Sequence, residues 1–347
     1  MELSARKKLI LKTIVGDYIR TAEPVGSKSL ASRPELRFSS ATIRNEMSEL
    51  EEMGFLEKPH TSAGRVPSPA GYRLYVDELM GIPDLPLAEV EGINKIMQLK
   101  VKELDRLISE AGRLISNLTD YTTVAVTPVM QRISIIKFEI ITVSPQNFVI
   151  VVVTNTGVVK NKMVRTAFPV EADAVELLTY VLNQTLTGIP LESITPERLD
   201  IVRRAAGLSA LLAPVAEYIS ELIEELSEQK VFLRGASKLL SQPEYQDASK
   251  AQQLLDFITE HPNMPQLKTI SRDFDGVRIM IGPENGEGPL SQASMIYATY
   301  NIGDFGRGVI GLVGPTRMDY AKLSARLSLF SKQLNKLIAE TFFEEDK

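Results

Sequence analysis

The stretch FSSATIRNEMSELEEMGFLEKPHTSAGRVP, residues 38–67, decides how the front of the chain is read. Ser39 and Ser40 offer capping hydroxyls, and Ile43, Met47 and Leu50 recur at i, i+4 and i+7. The spacing predicts a helix with one buried face. The opposite face carries Ser40, Arg44, Asn45 and Ser48, side chains that can bond base edges or phosphates in a groove. Gly54 offers a left-handed cap after the helix. Leu56–Lys58 and Arg65–Val66 then read as two strands of a small hairpin, with the tip Pro59-His60-Thr61-Ser62-Ala63-Gly64 forming a wing.

Working outward, a first helix is expected from Ser4 to Arg20, with Leu11, Ile14, Val15 and Tyr18 as its apolar stripe. A short second helix starts near Gly26 or Ser27, carries Leu30 and stops before Arg33-Pro34, since the residue before proline is pushed out of helix. Two short helices joined by a loop, after a longer one, match a helix-turn-helix whose last helix can enter the major groove. Ser68-Pro69 opens a fourth helix with Tyr72, Tyr75, Val76 and Leu79 on one face. The segment GIPDLPLA, 81–88, is the clearest linker.

From Ile93 a long helix places Met97, Val101, Leu104, Ile108, Ala111, Ile115 and Leu118 at steps of four and three, a seam that suits either a core helix or one meeting a second subunit. Strands are expected at 122–127, 133–143, 148–154 and 158–165, the last three forming an antiparallel meander around the turns Ser144-Pro145-Gln146-Asn147 and Asn155-Thr156-Gly157. Helices follow at 171–187, 196–205 and 208–229, and the last must be buried because Leu208, Leu211, Leu212, Val215, Ile219 and Leu222 cover it. Further helices at 235–240 and 249–260, strands at 277–281, 293–300 and 307–313, and a terminal helix from Asp319 to Phe343 complete an α+β pattern.

At 347 residues, 44% of them hydrophobic, the chain has material for two or three domains. It has no cysteine, which excludes disulfides, thiolate metal sites and thiol catalysis and points to a reducing compartment, the cytoplasm. No uncharged run reaches membrane-spanning length. The net charge is −5, but it is uneven: residues 1–80 hold 12 Lys/Arg and 11 Asp/Glu, for +1, and the rest sums to −6. The two histidines, His60 and His261, lie far apart. Zinc-protease, nucleophile-elbow and phosphate-loop spacings are absent. Glycines 303, 306 and 308 read as turns, and Glu221, Glu224 and Glu225 as a solvated helix face. No catalytic residue, metal ligand or cofactor is expected, so an enzyme is not the reading.

The run EPVGSKSLASRPELRFSSATIRNEMSELEEMGFLEKPHTSAGRVPSPAGYRLYVDEL, 23–79, resembles the N-terminal domain of the bacterial heat-inducible transcription repressor family HrcA. The run VIGLVGPTRMDYAKL, 309–323, is similar to that family's C-terminal signature, and GASKLLSQPEY, 235–245, is similar to it as well. The resemblance implies an α+β multidomain chain: a winged helix-turn-helix DNA-binding domain over 1–80, a linker over 81–88, a GAF-like domain from 89–130 and 231–347, and an inserted dimerising α+β domain over 131–230. It implies a homodimer that binds double-stranded DNA at an inverted-repeat operator of the CIRCE type, represses chaperone operons and loses DNA on heat stress. The GroE chaperonin is the implied modulator. The family's recognition helix falls on Ser39–Met53 and its wing on Pro59–Val66.

In such a dimer the recognition helices lie about 34 Å apart or a multiple of it, matching the two-fold symmetry of the DNA. Ser39, Ser40, Thr42, Arg44, Asn45 and Ser48 are the expected reading residues, with Arg44 suited to guanine at about 1–3 kcal/mol of discrimination. Ser27, Lys28, Lys58, His60, Thr61 and Arg65 are the expected backbone or minor-groove contacts. Glu46, Glu49, Glu51 and Glu52 repel phosphate, so that end of the helix is expected to tilt away. The competing reading is a metabolite-responsive winged-helix regulator that senses a small molecule through the GAF-like domain.

Overall fold

The computed structural model describes residues 3–60, 63–96, 104–127, 133–206, 211–227, 230–260, 276–303 and 306–342. At the front lie α1 (Ala5–Thr21), α2 (Ser27–Ala31) and α3 (Ser40–Glu52), then the antiparallel pair β1 (Leu56–Glu57) and β2 (Val66–Pro67). The Ser4 side chain caps α1 by accepting from the Lys7 N–H, and Ala22, in the left-handed region at φ 57°, closes its other end. The apolar stripes of the three helices meet through Ile10, Leu11, Ile14, Leu30, Ile43, Met47 and Leu50, all buried. Arg65 exchanges two backbone hydrogen bonds of 2.9 Å with Val25. That pairing anchors the hairpin to the segment before α2 and moves β2 one residue beyond its expected start.

Ser68 caps α4 (Pro69–Leu74), its Oγ accepting the Gly71 N–H at 3.0 Å. The expected single helix changes character here, running on as a π-helical turn over Tyr75–Leu79. Next, α5 (Leu87–Ile96) begins within the stretch expected to be linker. Arg326 holds it there, bonding both Glu89 carboxylate oxygens at 2.9 and 3.0 Å. Met97 and Val101 of the expected seam lie outside the described residues, while α6 (Leu104–Thr119) buries Leu104, Ile108, Ala111 and Ile115.

After β3 (Thr122–Val126) the chain leaves its first sheet for about a hundred residues. It forms an antiparallel sheet of β4 (Ile135–Ser144), β5 (Asn147–Thr154) and β6 (Val159–Arg165), then α7 (Ala172–Leu186), α8 (Pro196–Ala206) and α9 (Leu212–Ser227). This excursion has its own core, in which Phe138, Phe148, Ile150 and Val152 meet Leu178, Leu182, Val215 and Ile219. Its other sheet face aligns Ile141, Val149 and Met163 in one cross-strand row, and Ile141 and Met163 are 51% and 65% exposed. The neck is narrow: the Thr127 N–H donates to the Lys230 carbonyl and the Lys230 N–H to Thr127 Oγ1, each at 3.0 Å.

The chain returns as β7 (Val231–Arg234), α10 (Ala236–Leu240), α11 (Ala248–Glu260), β8 (Val277–Ile281), β9 (Ala293–Asn301), β10 (Arg307–Pro315) and α12 (Tyr320–Phe342). The sheet order is β7-β3-β10-β9-β8, antiparallel throughout. Because side chains alternate along a strand, Ala125, Ile296, Ile310 and Leu312 join a core that includes residues of α6 and α12. Val124, Met295, Tyr297 and Val309 join a second core with residues of α10 and α11. Covered on both faces, β9 and β10 are buried almost from end to end.

The front unit packs on this sheet unit. Tyr72 meets Tyr320 edge-on at 5.7 Å. Arg73 donates to the Ile279 carbonyl and to Glu284, each at 2.7 Å. Arg317 donates to the Ile19 carbonyl at 2.9 Å and to Glu244 at 2.8 Å. The architecture is α+β, with helices and antiparallel sheets assembled in more than one packed unit.

Candidate nucleic-acid interface

The expected reading residues divide into two groups once placed. At the start of α3, Ser39 Oγ accepts the Thr42 N–H at 3.1 Å and bonds Thr42 Oγ1 at 2.9 Å. Ser40 Oγ lies 3.2 Å from the buried Ser27 Oγ. These four hydroxyls cap α3 and tie it to α2, a positioning role that costs them freedom to turn toward a ligand. Arg44 and Asn45 are exposed on the next turn.

A cleft of about 490 Å³ lies between α2, α3 and the hairpin. Ser27, Lys28, Arg44, Ser48, Lys58 and Arg65 all line it, so six of the expected residues converge on one concavity. Lys28, Arg44 and Lys58 are exposed, and no ion pair holds them among the described residues. His60 is exposed at the hairpin tip, its carbonyl accepting the Ala63 N–H at 3.0 Å. Thr61 lies outside the described residues. Gly64 is there for space: a Cβ on it would stand 2.4 Å from the Val25 carbonyl oxygen.

Arg65 is differently employed. Its Nη2 and Nε lie 2.6 and 2.8 Å from Glu51 Oε2, and its side chain is only 16% exposed, so it braces the hairpin against α3. Sequence reading passed over Arg37, an exposed cation two residues before the Ser39 cap with no ion pair among the described residues. The available signal was its place in the turn between the two helices, where a basic side chain flanks the amino end of α3.

The acidic turns of α3 are also partnered. Lys7 Nζ lies 2.9 Å from Glu46 and 2.7 Å from Glu49, and Arg6 lies 3.2 Å from Glu46. The Arg6 guanidinium also sits over the Phe38 ring, 5.1 Å from its centroid. The Glu46 and Glu49 carboxylates raise the Lys7 pKa above the ordinary lysine value. Of the four carboxylates expected to repel phosphate, Glu46, Glu49 and Glu51 therefore meet cations. Concave, cation-lined surface beside a helix amino end suits a polyanion.

A larger groove of about 1050 Å³ runs between the Tyr75–Leu79 turn, the 82–85 segment, β8 and α12, with Arg73, Arg278, Ser324 and Lys332 among its lining residues. Among the described residues no group of three or more His, Asp or Glu side chains is arranged to hold a metal ion, and no helix is long and apolar enough to cross a membrane.

Comparison with known proteins gives a consistent result. Residues 105–323 match the family described as HrcA protein C terminal domain. The chain is 37% identical over 341 residues to the heat-inducible transcription repressor HrcA of Ruminiclostridium cellulolyticum, covering 97% of this chain and 98% of that one. It is 35% identical over 343 residues to the protein of that name from Brevibacillus brevis, covering 98% and 99%. Among solved structures, a crystal structure described as that of a hypothetical protein shares the fold at a TM-score of 0.66 and 22% identity, covering 98% of this chain and all of that one.

Proposed function

The chain belongs to the HrcA family of heat-inducible transcription repressors, and on that premise we propose that it represses chaperone operons by binding an inverted-repeat operator as a homodimer in the cytoplasm. The observation that carries this reading is the cleft in which Lys28, Arg44 and Lys58, from α2, α3 and the hairpin, converge. In this reading the front unit, 1–80, is a winged helix-turn-helix. Arg44 and Asn45 read base edges, Ser48 lies behind them, and Lys28, Lys58, His60 and Thr61 touch the backbone. Ser27, Ser39, Ser40, Thr42 and Arg65 hold the helix and hairpin in position.

The five-stranded sheet with its helices is the GAF-like domain, and the segment 131–230 is the inserted dimerising domain. The row of exposed Ile141, half-buried Val149 and exposed Met163 supports that assignment, since apolar area of this kind is stable in water when a second copy covers it. Heat releases DNA by depopulating the folded dimer, and the GroE chaperonin returns aggregation-prone chains to it.

The test is a footprint on DNA upstream of chaperone genes with the wild type, Arg44→Ala and Lys58→Ala. Two symmetric protected half-sites are expected. Arg44→Ala relaxes base preference, whereas Lys58→Ala weakens every duplex alike. Equal scaling of all operator variants in Arg44→Ala overturns the direct-readout assignment. The 1050 Å³ groove at the junction of the front and sheet units favours one second reading, regulation by a small molecule. Protection from thermal unfolding by a metabolite extract, lost on filling the groove with Ala325→Trp, is the outcome that reading requires.

A further inference from the structure

We infer that Arg6 and Lys7 of α1 are an internal counter-charge that cancels the carboxylates of the proposed recognition helix and so sets how closely it approaches DNA. The inference rests on the DNA-binding reading above and assigns work to residues that no contact with a ligand requires.

The geometry separates these cations from the ones lining the cleft. Lys7 Nζ is held between Glu46 and Glu49 at 2.9 and 2.7 Å, and its side chain is only 17% exposed. Glu46 is 12% exposed and faces Lys7 and Arg6 together. On the hairpin side, Arg65 does the same for Glu51. Glu46, Glu49 and Glu51 follow the turn that carries Arg44 and Asn45, so their charge falls within a Debye length, about 10 Å at 0.1 M salt, of the face that meets DNA. With two cations against Glu46 and Glu49 that part of the helix is neutral; without Lys7 it carries one negative charge. Lys7 is thus a positioning residue acting through the field of its partners.

The test uses the full-length protein and a fluorescently labelled mixed-sequence DNA duplex, titrated by anisotropy across roughly 0.05–0.2 M salt, because the electrostatic part of binding needs no particular sequence. One effective charge changes the slope of log affinity against log salt by up to about 0.9, or up to about eightfold in affinity for each tenfold change in salt. Lys7→Met is expected to weaken binding and flatten the salt dependence. Glu49→Gln is expected to tighten binding and steepen it. The double variant Lys7→Met/Glu49→Gln restores the local charge and should return to within about twofold of wild type, with circular dichroism unchanged throughout.

A double variant as weak as Lys7→Met alone means that Lys7 itself touches phosphate and overturns the inference. So does a Glu49→Gln protein that binds as wild type does, an arm that stands even if Lys7→Met fails to fold. A wild-type protein that shifts no duplex at low salt refutes the DNA-binding reading instead.

Discussion

Gly71→Ala sets two physical effects against each other. Gly71 lies within α4, where alanine is favoured over glycine by up to about 1 kcal/mol from helix propensity alone. The tertiary contact opposes this: a Cβ there would stand 2.1 Å from the Phe55 carbonyl oxygen and 3.1 Å from its carbon. Carbon needs roughly 3.5 Å, so the Phe55 peptide must withdraw by more than an ångström. That carbonyl accepts the Ser68 N–H at 3.1 Å, and a lost hydrogen bond costs about 1 kcal/mol. Overpacking costs about 1–3 kcal/mol more. The net effect is a loss of about 1–3 kcal/mol, confined first to the seam between the hairpin and α4. Native-state hydrogen exchange of amides 68–74 should show protection lower by roughly one to two decades. Unchanged or increased protection would refute the reasoning, because propensity would then have outweighed the backbone contact.

Three other perturbations separate local from tertiary causes. Phe148→Ala empties a fully buried position in the excursion core and should cost about 3–5 kcal/mol in urea unfolding followed by far-ultraviolet dichroism. Tyr72→Phe removes a buried hydroxyl without a hydrogen-bond partner among the described residues and should leave the melting temperature level or slightly higher. Tyr320→Phe strips the buried Ser294 Oγ of its 2.8 Å partner and should destabilise by about 1–3 kcal/mol, so the two tyrosines are expected to differ in sign or size by calorimetry. Hydrogen bonding to Arg326 holds the Glu89 pKa below the ordinary value of 4.5. The stability it contributes is complete above that value and is lost as pH falls through the lowered one. Protection of α5 should therefore decline in the wild type as the pH falls below 4.5 and through the lowered pKa, and Glu89→Gln should flatten that decline.

The candidate site was legible in the sequence to the extent that side-chain type and helical period reveal a face. Arg44, Asn45 and Ser48 were found that way, and six of the expected residues line one cleft. Their division of labour was not legible. Ser27 and Ser40 are 13 residues apart in the chain and bond each other, while Arg65 turns inward to Glu51. Such pairings depend on how α2, the hairpin and α3 cross, which no local pattern encodes. Arg37 was missed because a lone cation in a turn has no periodicity to mark it.

By itself the sequence determined most of the elements: the caps at Ser39 and Ser68, the amphipathic stripes, the alternating strands and the three-stranded meander follow from neighbours within a few residues, where backbone preference and burial act together. It also determined the family, through long contiguous runs. Only the tertiary structure decided that β3 and β7 are partners across the whole excursion and that α5 begins inside the expected linker because Arg326 holds Glu89. It likewise decided that the acidic turns of α3 are matched by Arg6 and Lys7. Charge is read along a chain one residue at a time, but its field depends on distance in space, and folding brings α1 against α3 to set that distance.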